Sequence, residues 1–170
     1  MRIIFESGWL ENLSRTFTEN FDLRPPNLDV NLIIIHCISL PPGHYGGNFI
    51  SQFFTNRLDF EADSYFNNLR GLKVSPHIYI DRLGKATQFV SLNNRAWHAG
   101  ESLWKGRRDC NNFSIGIELE GTDDTPFEDA QYNRLAEVIT KIKASKISGS
   151  ENLEIVGHSD VAPVRKTDPG

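Results

Sequence analysis

Residues 32–36 read Leu-Ile-Ile-Ile-His, a short apolar and mostly β-branched run that ends in a histidine. An uninterrupted run of this length is typical of a strand that is buried on both faces of a sheet. Further along, residues 113–120 read Phe-Ser-Ile-Gly-Ile-Glu-Leu-Glu, in which apolar residues alternate with small or polar ones. This alternation predicts a second strand, and Glu118 is expected to point away from its apolar face.

A hairpin and a last strand are predicted elsewhere in the chain. Residues 77–81 and 86–90 are two apolar runs joined by Arg-Leu-Gly-Lys, which is typical of a hairpin. Residues 154–158, Glu-Ile-Val-Gly-His, read as a strand that ends in another histidine. The two prolines that follow predict a loop from Ser159 to Gly170.

Helical spacing occurs twice. Ile50, Phe53 and Phe54 recur at intervals that predict a short helix. Residues 125–128, Thr-Pro-Phe-Glu, combine a cap residue, a proline at the first helical position and a glutamate three residues after the cap, so a second helix is expected to start at Thr125. The order of elements predicts an α/β (α+β) fold with a central mixed β-sheet and packed helices.

Length and composition narrow the possible classes of protein. A chain of 170 residues with 39% hydrophobic content favours a single domain over residues 1–170. The net charge of -4 argues against nucleic acid as a partner. Residues 1–10 lack the pattern of a secretory signal, and no stretch approaches the roughly 18 apolar residues of a membrane span, so a cytoplasmic location without membrane contact is expected. Cys37 and Cys110 have no C-x-x-C spacing and are expected to be free thiols.

Two histidines and one aspartate are candidate metal ligands. His36 and His158 each follow a predicted strand, and Asp168 lies ten residues after His158. Two imidazoles and one carboxylate would form a catalytic zinc site that leaves a fourth position for water. Spacing alone leaves another interpretation open, namely two ordinary strand-end histidines and a turn carboxylate before Pro169. No H-E-x-x-H or C-x-x-C pair decides between them.

Four segments together resemble one known family: LIIIHCISLPPG at 32–43, RAWHAG at 95–100, FSIGIELEGTD at 113–123 and GHSDVAPVRKTDPG at 157–170. They are similar to the amidase_2 family, which includes phage lysozyme-type amidases and peptidoglycan recognition proteins. Within that family the chain is most similar to the cytoplasmic 1,6-anhydro-N-acetylmuramyl-L-alanine amidase type. The resemblance runs from Gly8 to Gly170, in the order of the family's motifs.

The resemblance implies a function and a set of active-site residues. It implies a zinc-dependent N-acetylmuramoyl-L-alanine amidase that hydrolyses the lactyl–L-Ala amide of 1,6-anhydro-muropeptides during peptidoglycan recycling. His36, His158 and Asp168 would bind Zn²⁺, which makes water reactive at neutral pH and polarises the amide carbonyl. Glu118 and Lys166 would be catalytic, the first by carrying the proton of the attacking water and the second by stabilising the oxyanion.

The substrate would be an anhydro-muropeptide, bound by a protein that is expected to be monomeric. Aromatic, imidazole and cationic side chains suit a sugar and the carboxylates of a peptide stem. The candidate substrate-binding residues are Tyr65, Lys73, Trp97, His98, Arg107 and Arg108. For His98, as for His77, plain packing remains an equal alternative. Cys37 and Asp109 stand where the family has an asparagine and an arginine, so the preferred sugar and stem stay open.

Three other functions remain to be distinguished from the recycling amidase. One is an amidase that acts on intact peptidoglycan, as a phage lysin does. The second is a non-catalytic peptidoglycan-binding protein of the same fold, which the presence of all three proposed ligands disfavours. The third is a purely structural zinc module, for which Lys166 would be dispensable.

Overall fold

The computed structural model describes residues 3–4, 8–145 and 147–170. Two strands of seven residues lie next to each other inside the main sheet, and the other strands are short. The elements are β1 (Ile3–Ile4), β2 (Trp9–Leu10), β3 (Ser14–Arg15), β4 (Phe21–Leu23), β5 (Leu32–Ile38), α1 (Phe49–Phe54), β6 (Ile78–Ile80), β7 (Ala86–Gln88), β8 (Asn94–Ala96), β9 (Leu103–Trp104), β10 (Arg107–Arg108), β11 (Ser114–Glu120), α2 (Asp129–Lys143), β12 (Glu154–Gly157) and α3 (His158–Val161). Short 3-10 helices occupy Ser64–Leu69, Cys110–Asn112 and Ser150–Asn152.

The central sheet is mixed. In the described part of the chain it has the strand order β12-β5-β11-β6-β7-β3. β5 is parallel to β12 and β11, and β11 is parallel to β6. β6 and β7 are antiparallel and form the predicted hairpin, although both strands are shorter than the sequence suggested. The predicted mixed sheet with packed helices is confirmed.

β5 is the buried strand that the sequence predicted, but it does not end before His36. It pairs with β11 as far as Ile38 opposite Glu120, so His36 lies inside the strand. The first five residues of β5 are buried, because α2 covers one face of the sheet and the loops of the metal-ligand side cover the other. His36 is therefore held within the pairing to β11, with paired residues before and after it in the strand.

The second helix starts later than predicted. Its first residue is Asp129, and its N-cap is Glu128 rather than Thr125. Glu128 forms a capping box with Gln131, whose side-chain oxygen accepts the Glu128 backbone N–H at 3.0 Å. Gln131 is fully buried and donates to the carbonyl of Glu120, so this contact with the sheet sets where the helix begins. Thr125 instead belongs to a turn with Thr122.

The segment after β12 is not entirely a loop. Residues His158–Val161 form the single turn α3, and the backbone N–H of Gly157 donates to the Asp160 carboxylate at 2.7 Å across its start. His158 is thus the first residue of a helical turn and points back into the protein, where it is buried.

Two further expectations can be compared with the structure. Both cysteines are free thiols, as predicted. Within the described ranges, no helix is both long enough and apolar enough to cross a membrane.

Candidate metal centre

His36, His158 and Asp168 converge on one point, although they come from a strand, a helical turn and a loop. The Nδ1 atoms of the two histidines are 2.9 Å apart. Asp168 Oδ2 lies 3.4 Å from His36 Nδ1 and 3.2 Å from His158 Nδ1. Among the described residues, these three form the group of His, Cys, Asp and Glu side chains that could hold a metal ion, with ligand atoms within 4.8 Å of one another.

The far side of each imidazole is also occupied. His158 Nε2 lies 3.0 Å from the carbonyl oxygen of Ala99, which can only accept a hydrogen bond. The proton of neutral His158 is therefore on Nε2, and the lone pair of Nδ1 faces the centre. His36 Nε2 lies 2.9 Å from Nδ1 of His98, which places the same ring edge of His36 toward the centre.

Two of the three side chains are in the protonation states that a metal ion requires. Burial is the main cause that lowers the pKa of His36 to about 4, so its imidazole is neutral. Burial acts to raise the pKa of Asp168, but the adjacent imidazoles of His158 and His36 outweigh it, and this pKa lies well below its usual range. Neutral imidazoles and an ionised carboxylate are the forms that coordinate metals.

This donor set fits zinc. Zinc takes nitrogen and oxygen ligands at about 2.0–2.2 Å, which in a tetrahedron places neighbouring ligand atoms roughly 3.3–3.5 Å apart. The three separations of 2.9, 3.4 and 3.2 Å are close to those edges. Without a cation between them, two nitrogen lone pairs and a carboxylate oxygen at such separations would repel one another.

Glu118 stands beside this group on the neighbouring strand. It pairs with His36 in the parallel register of β5 and β11, so both side chains leave the same face of the sheet. Its Oε2 atom is buried and has no hydrogen-bond partner among the described residues. Burial and then the charge of Asp168 raise the pKa of Glu118, against the opposing effect of Lys166. A carboxyl group in this environment binds a proton more tightly than one in water does.

Lys166 lies on the loop between α3 and Asp168. Its backbone N–H donates to the Ala162 carbonyl at 2.9 Å, which fixes the loop, and its side chain lines the same cavity as Glu118. The structure therefore brings together the three proposed ligands and the two proposed catalytic residues.

A cavity of about 850 Å³ opens over this group. Of the six substrate-binding candidates, Tyr65, Trp97 and His98 line it. The other three, Lys73, Arg107 and Arg108, are not among its lining residues. Lys73 is exposed. Arg107 stacks over Phe113, with its guanidinium carbon 3.7 Å from the ring centroid, and Arg108 lines a separate cavity of about 290 Å³.

The wall of the cavity also contains Asp123, Thr167 and Arg165, which the sequence did not single out. The Cys37 thiol donates to Asp123 Oδ1 at 3.3 Å, and the Thr167 hydroxyl donates to the other oxygen of the same carboxylate. Arg165 also lines the cavity, and its guanidinium donates to the Ala99 carbonyl at 2.7 Å. No local pattern marks these residues, because each contact joins segments that are more than 40 positions apart.

Comparisons of the sequence with a family model and with known proteins point to the same family. A family model described as N-acetylmuramoyl-L-alanine amidase matches residues 26–170. The chain is 45% identical over 165 residues to the 1,6-anhydro-N-acetylmuramyl-L-alanine amidase AmpD of Haemophilus influenzae, which covers 97% of this chain and 89% of the relative.

Solved structures agree in fold. A crystal structure of a selenomethionine AmpD derivative has 43% sequence identity and a TM-score of 0.93, and the match covers 100% of this chain and 93% of that one. The amidase AmiD from E. coli, solved as a complex with the substrate anhydro-N-acetylmuramic acid-L-Ala-D-gamma-Glu-L-Lys, has 29% identity and a TM-score of 0.55, covering 86% of this chain and 56% of that one. This chain belongs to the N-acetylmuramoyl-L-alanine amidase family.

Proposed function

We propose that residues 1–170 form one monomeric, zinc-dependent N-acetylmuramoyl-L-alanine amidase domain. It hydrolyses the amide between the lactyl group and L-alanine of 1,6-anhydro-muropeptides in the cytoplasm, during recycling of peptidoglycan. The observation that carries the proposal is the convergence of His36, His158 and Asp168 next to Glu118, whose buried Oε2 atom has no partner among the described residues. The names of the relatives, one of them solved with an anhydro-muropeptide, support this substrate class.

Zinc and the residues that would hold it have different roles in the reaction. When bound to His36, His158 and Asp168, zinc makes water acidic enough to react near neutral pH and polarises the scissile carbonyl. Burial holds the His36 imidazole neutral, and Asp168 stays ionised. Neither of these two residues has to change its protonation state before the metal binds.

Glu118 is the proton carrier in this proposal. The attacking water forms the new C–O bond and gives its proton to the Glu118 carboxylate. Glu118 then donates that proton to the alanine nitrogen as the C–N bond breaks, which gives a lactyl carboxylic acid and an amine. The second proton of the water passes from the acid to the amine in solution, so the final products are a lactyl carboxylate and an alanine ammonium group. The raised pKa of Glu118 suits the first step, because burial makes its carboxylate a stronger base than a carboxylate in water.

Lys166 supports the negative charge that develops on the carbonyl oxygen. Its ammonium is close enough to Glu118 and His36 to influence the pKa of each. Removal of a group that stabilises an oxyanion typically costs about 100 to 1,000-fold in kcat. Tyr65 and Trp97 offer aromatic surface in the same cavity, which suits the apolar face of a sugar or the stem's alanine methyl.

Product analysis tests the proposal. Purified protein is incubated with anhydro-N-acetylmuramyl tripeptide, with and without a zinc chelator, and the products are identified by mass spectrometry. Release of the free tripeptide that stops on chelation and returns with zinc is the expected result. An intact substrate after incubation with folded, zinc-loaded protein would instead indicate a binding protein.

A parallel assay on purified sacculi separates the recycling enzyme from a lysin. The recycling enzyme is expected to release far less peptide from sacculi than from the soluble anhydro-muropeptide. Equal turnover of both substrates would favour an enzyme that acts on intact wall. Cell fractionation with activity measured in each fraction tests the cytoplasmic location.

A further inference from the structure

Two adjacent residues, His98 and Ala99, hold the outer edges of both histidine ligands. Nδ1 of His98 contacts Nε2 of His36 at 2.9 Å, and the carbonyl oxygen of Ala99 contacts Nε2 of His158 at 3.0 Å. A histidine that binds a metal usually donates its second ring N–H to such a partner, which fixes the orientation and tautomer of the ring. Here both partners belong to one stretch of backbone.

The position of that backbone depends on Asn111. A single oxygen of the Asn111 side chain, Oδ1, accepts the backbone N–H of His98 at 3.1 Å and that of Ala99 at 2.8 Å. Asn111 itself lies on the 3-10 turn Cys110–Asn112, and its carbonyl oxygen accepts a hydrogen bond from half-buried Arg24 at 3.0 Å. The amide side chain thus joins a fixed turn to the segment that orients both ligands.

Asn111 links the N–H groups of His98 and Ala99 to the turn, and Ser102, three residues after Ala99, accepts the Cys110 backbone N–H from the same turn. The Ala99 carbonyl accepts from Arg165 as well as from His158, so the peptide is held at its oxygen from the side of the metal centre. The ring of His98 is held at Nε2 by the Ser114 hydroxyl at 3.2 Å. The N–H groups of the two residues point the opposite way, toward Asn111 Oδ1.

We propose that Asn111 is a positioning residue for the metal centre, because its side-chain oxygen sets the place of the His98–Ala99 backbone and through it the orientation of both His36 and His158. The proposal rests on the proposed function, since it assumes that the two histidines bind zinc. A positioning role differs from an ordinary structural role in its effect on the metal centre. Loss of the Asn111 oxygen should disturb both histidine ligands together and so change the affinity and the coordination of the bound metal.

Three variants separate the acceptor oxygen from the rest of the side chain. Asn111→Ala removes the acceptor. Asn111→Asp keeps an oxygen at the same position and is the conservative variant. Asn112→Ala is the matched control, because Asn112 is the next residue on the same turn but its Oδ1 accepts from Arg95 rather than from the His98–Ala99 segment.

Zinc affinity and the ligand field of cobalt(II) are the two measurements. Zinc dissociation constants are measured by competition with a chromophoric chelator, and the visible absorption spectrum is recorded after substitution of cobalt(II) for zinc. Asn111→Ala is expected to weaken zinc binding by about 10–100-fold, as is typical when the partner of a histidine ligand is lost. It should also change the cobalt(II) spectrum, whereas Asn111→Asp and Asn112→Ala should stay close to wild type in both measurements.

Wild-type zinc affinity and an unchanged cobalt(II) spectrum in Asn111→Ala would overturn the inference, and so would an equal loss in Asn112→Ala. If Asn111→Ala does not fold, Asn111→Ser is measured instead; its hydroxyl is too short to reach both N–H groups, so the same loss is expected. Failure of the wild-type protein to bind zinc would refute the proposed function itself. The two failures are therefore distinguishable without any activity assay.

Discussion

The Nδ1 atoms of His36 and His158 lie 2.9 Å apart, although 122 residues separate the two histidines in the chain. The parallel pairing of β5 with β12 accounts for this closeness. Gly157 is opposite Ile35 in that register, so the next residues, His36 inside β5 and His158 at the start of α3, lie at the same level. Asp168 then reaches the pair because the loop after α3 folds back, with its carbonyl oxygen accepting the backbone N–H of Ser159 at 2.9 Å.

Asp168→Asn is expected to weaken zinc binding by more than about 100-fold, beyond the 10–100-fold typical of residues that only support a ligand. A ligand that binds only the folded state at 1,000 times its dissociation constant adds about 4 kcal/mol to the free energy of unfolding. Zinc should therefore raise the melting temperature of the wild type much more than that of the variant.

Asp160→Asn is the control for this experiment. It makes the same isosteric change eight residues earlier, where the carboxylate accepts the backbone N–H of Gly157 at 2.7 Å. The amide oxygen can still accept that bond, so the zinc-dependent rise in melting temperature should be kept. An equal loss in both variants would contradict the assignment of Asp168 as a ligand.

Glu118→Gln is expected to lower kcat by about 100 to 10,000-fold, the usual contribution of a general acid–base group. The amide has the shape of the carboxyl group but cannot carry a proton, so folding and zinc content should be unchanged. Hydrolysis rates with metal analysis of the same samples test this expectation. The exposed Glu151→Gln is the control. Retention of most of the wild-type kcat would remove Glu118 from the mechanism.

Glu120→Gln should lower the free energy of unfolding and leave kcat close to wild type, which is the reverse of the expectation for Glu118→Gln. The two oxygens of buried Glu120 accept the backbone N–H groups of Gly46 at 2.5 Å and of Arg82 at 3.1 Å, tying the glycine-rich loop to the hairpin. The amide keeps one acceptor and turns a donor toward the other N–H, which leaves a buried group unsatisfied at a cost of about 1–3 kcal/mol. Urea unfolding of both glutamate variants measures this. A larger loss of unfolding free energy for Glu118→Gln than for Glu120→Gln would contradict the assignment of Glu118 to catalysis and of Glu120 to stability.

Gly116→Ala should lower both stability and zinc affinity. A Cβ atom on Gly116 would lie 2.3 Å from Cγ of the His98 ring, so the ring must move away from its contact with His36. Small-to-large changes in a packed interior typically cost about 1–3 kcal/mol. The double variant with His98→Ala removes the clash, and its free energy of unfolding should therefore be higher than the sum of the two single effects predicts. Strict additivity would show that the ring and the glycine are independent.

His77 should make the stability of the metal-free protein depend on pH. Burial and then the charge of Arg24 lower the pKa of His77 from 6.5 to about 3. The unfolded chain binds the proton of His77 at a higher pH than the folded chain does. The contribution of His77 to the free energy of unfolding should therefore be fully present above about pH 6.5 and fall as the pH drops toward 3. His98 faces the same ring and also has a lowered pKa, for which burial is the main cause, so it adds to this slope.

Thermal unfolding between pH 7.5 and 4 tests this expectation, with His77→Gln as the comparison. The variant loses one titrating group, so the number of protons taken up on unfolding should decrease by up to about one. The slope of its unfolding free energy with pH should decrease in proportion. Some stability will be lost at every pH, because His77 Nδ1 accepts the backbone N–H of Gly116 at 3.0 Å. Identical slopes in both proteins would show that His77 does not resist protonation.

The strand pattern was the most predictable part of the fold. Residues 32–36 and 113–120 have compositions and periods that depend on burial alone, and both became central strands. The start of α2 was not predictable in the same way. Thr125 and Glu128 match a local capping pattern, but the buried contact of Gln131 with the Glu120 carbonyl moved the cap by three residues.

The candidate residues of the site could be named from the sequence, because the resemblance of four segments to a known family pointed to two histidines, one aspartate, one glutamate and one lysine. Their mutual geometry could not, since a distance of 2.9 Å between residues 122 positions apart depends on strand register and loop return. The support from Asn111 through His98 and Ala99 likewise has no local signature, because one side-chain oxygen that accepts two N–H groups from a distant segment leaves no periodic pattern. Local sequence specifies burial and residue chemistry, whereas tertiary packing decides which polar atoms face each other and therefore which of them can bind a metal.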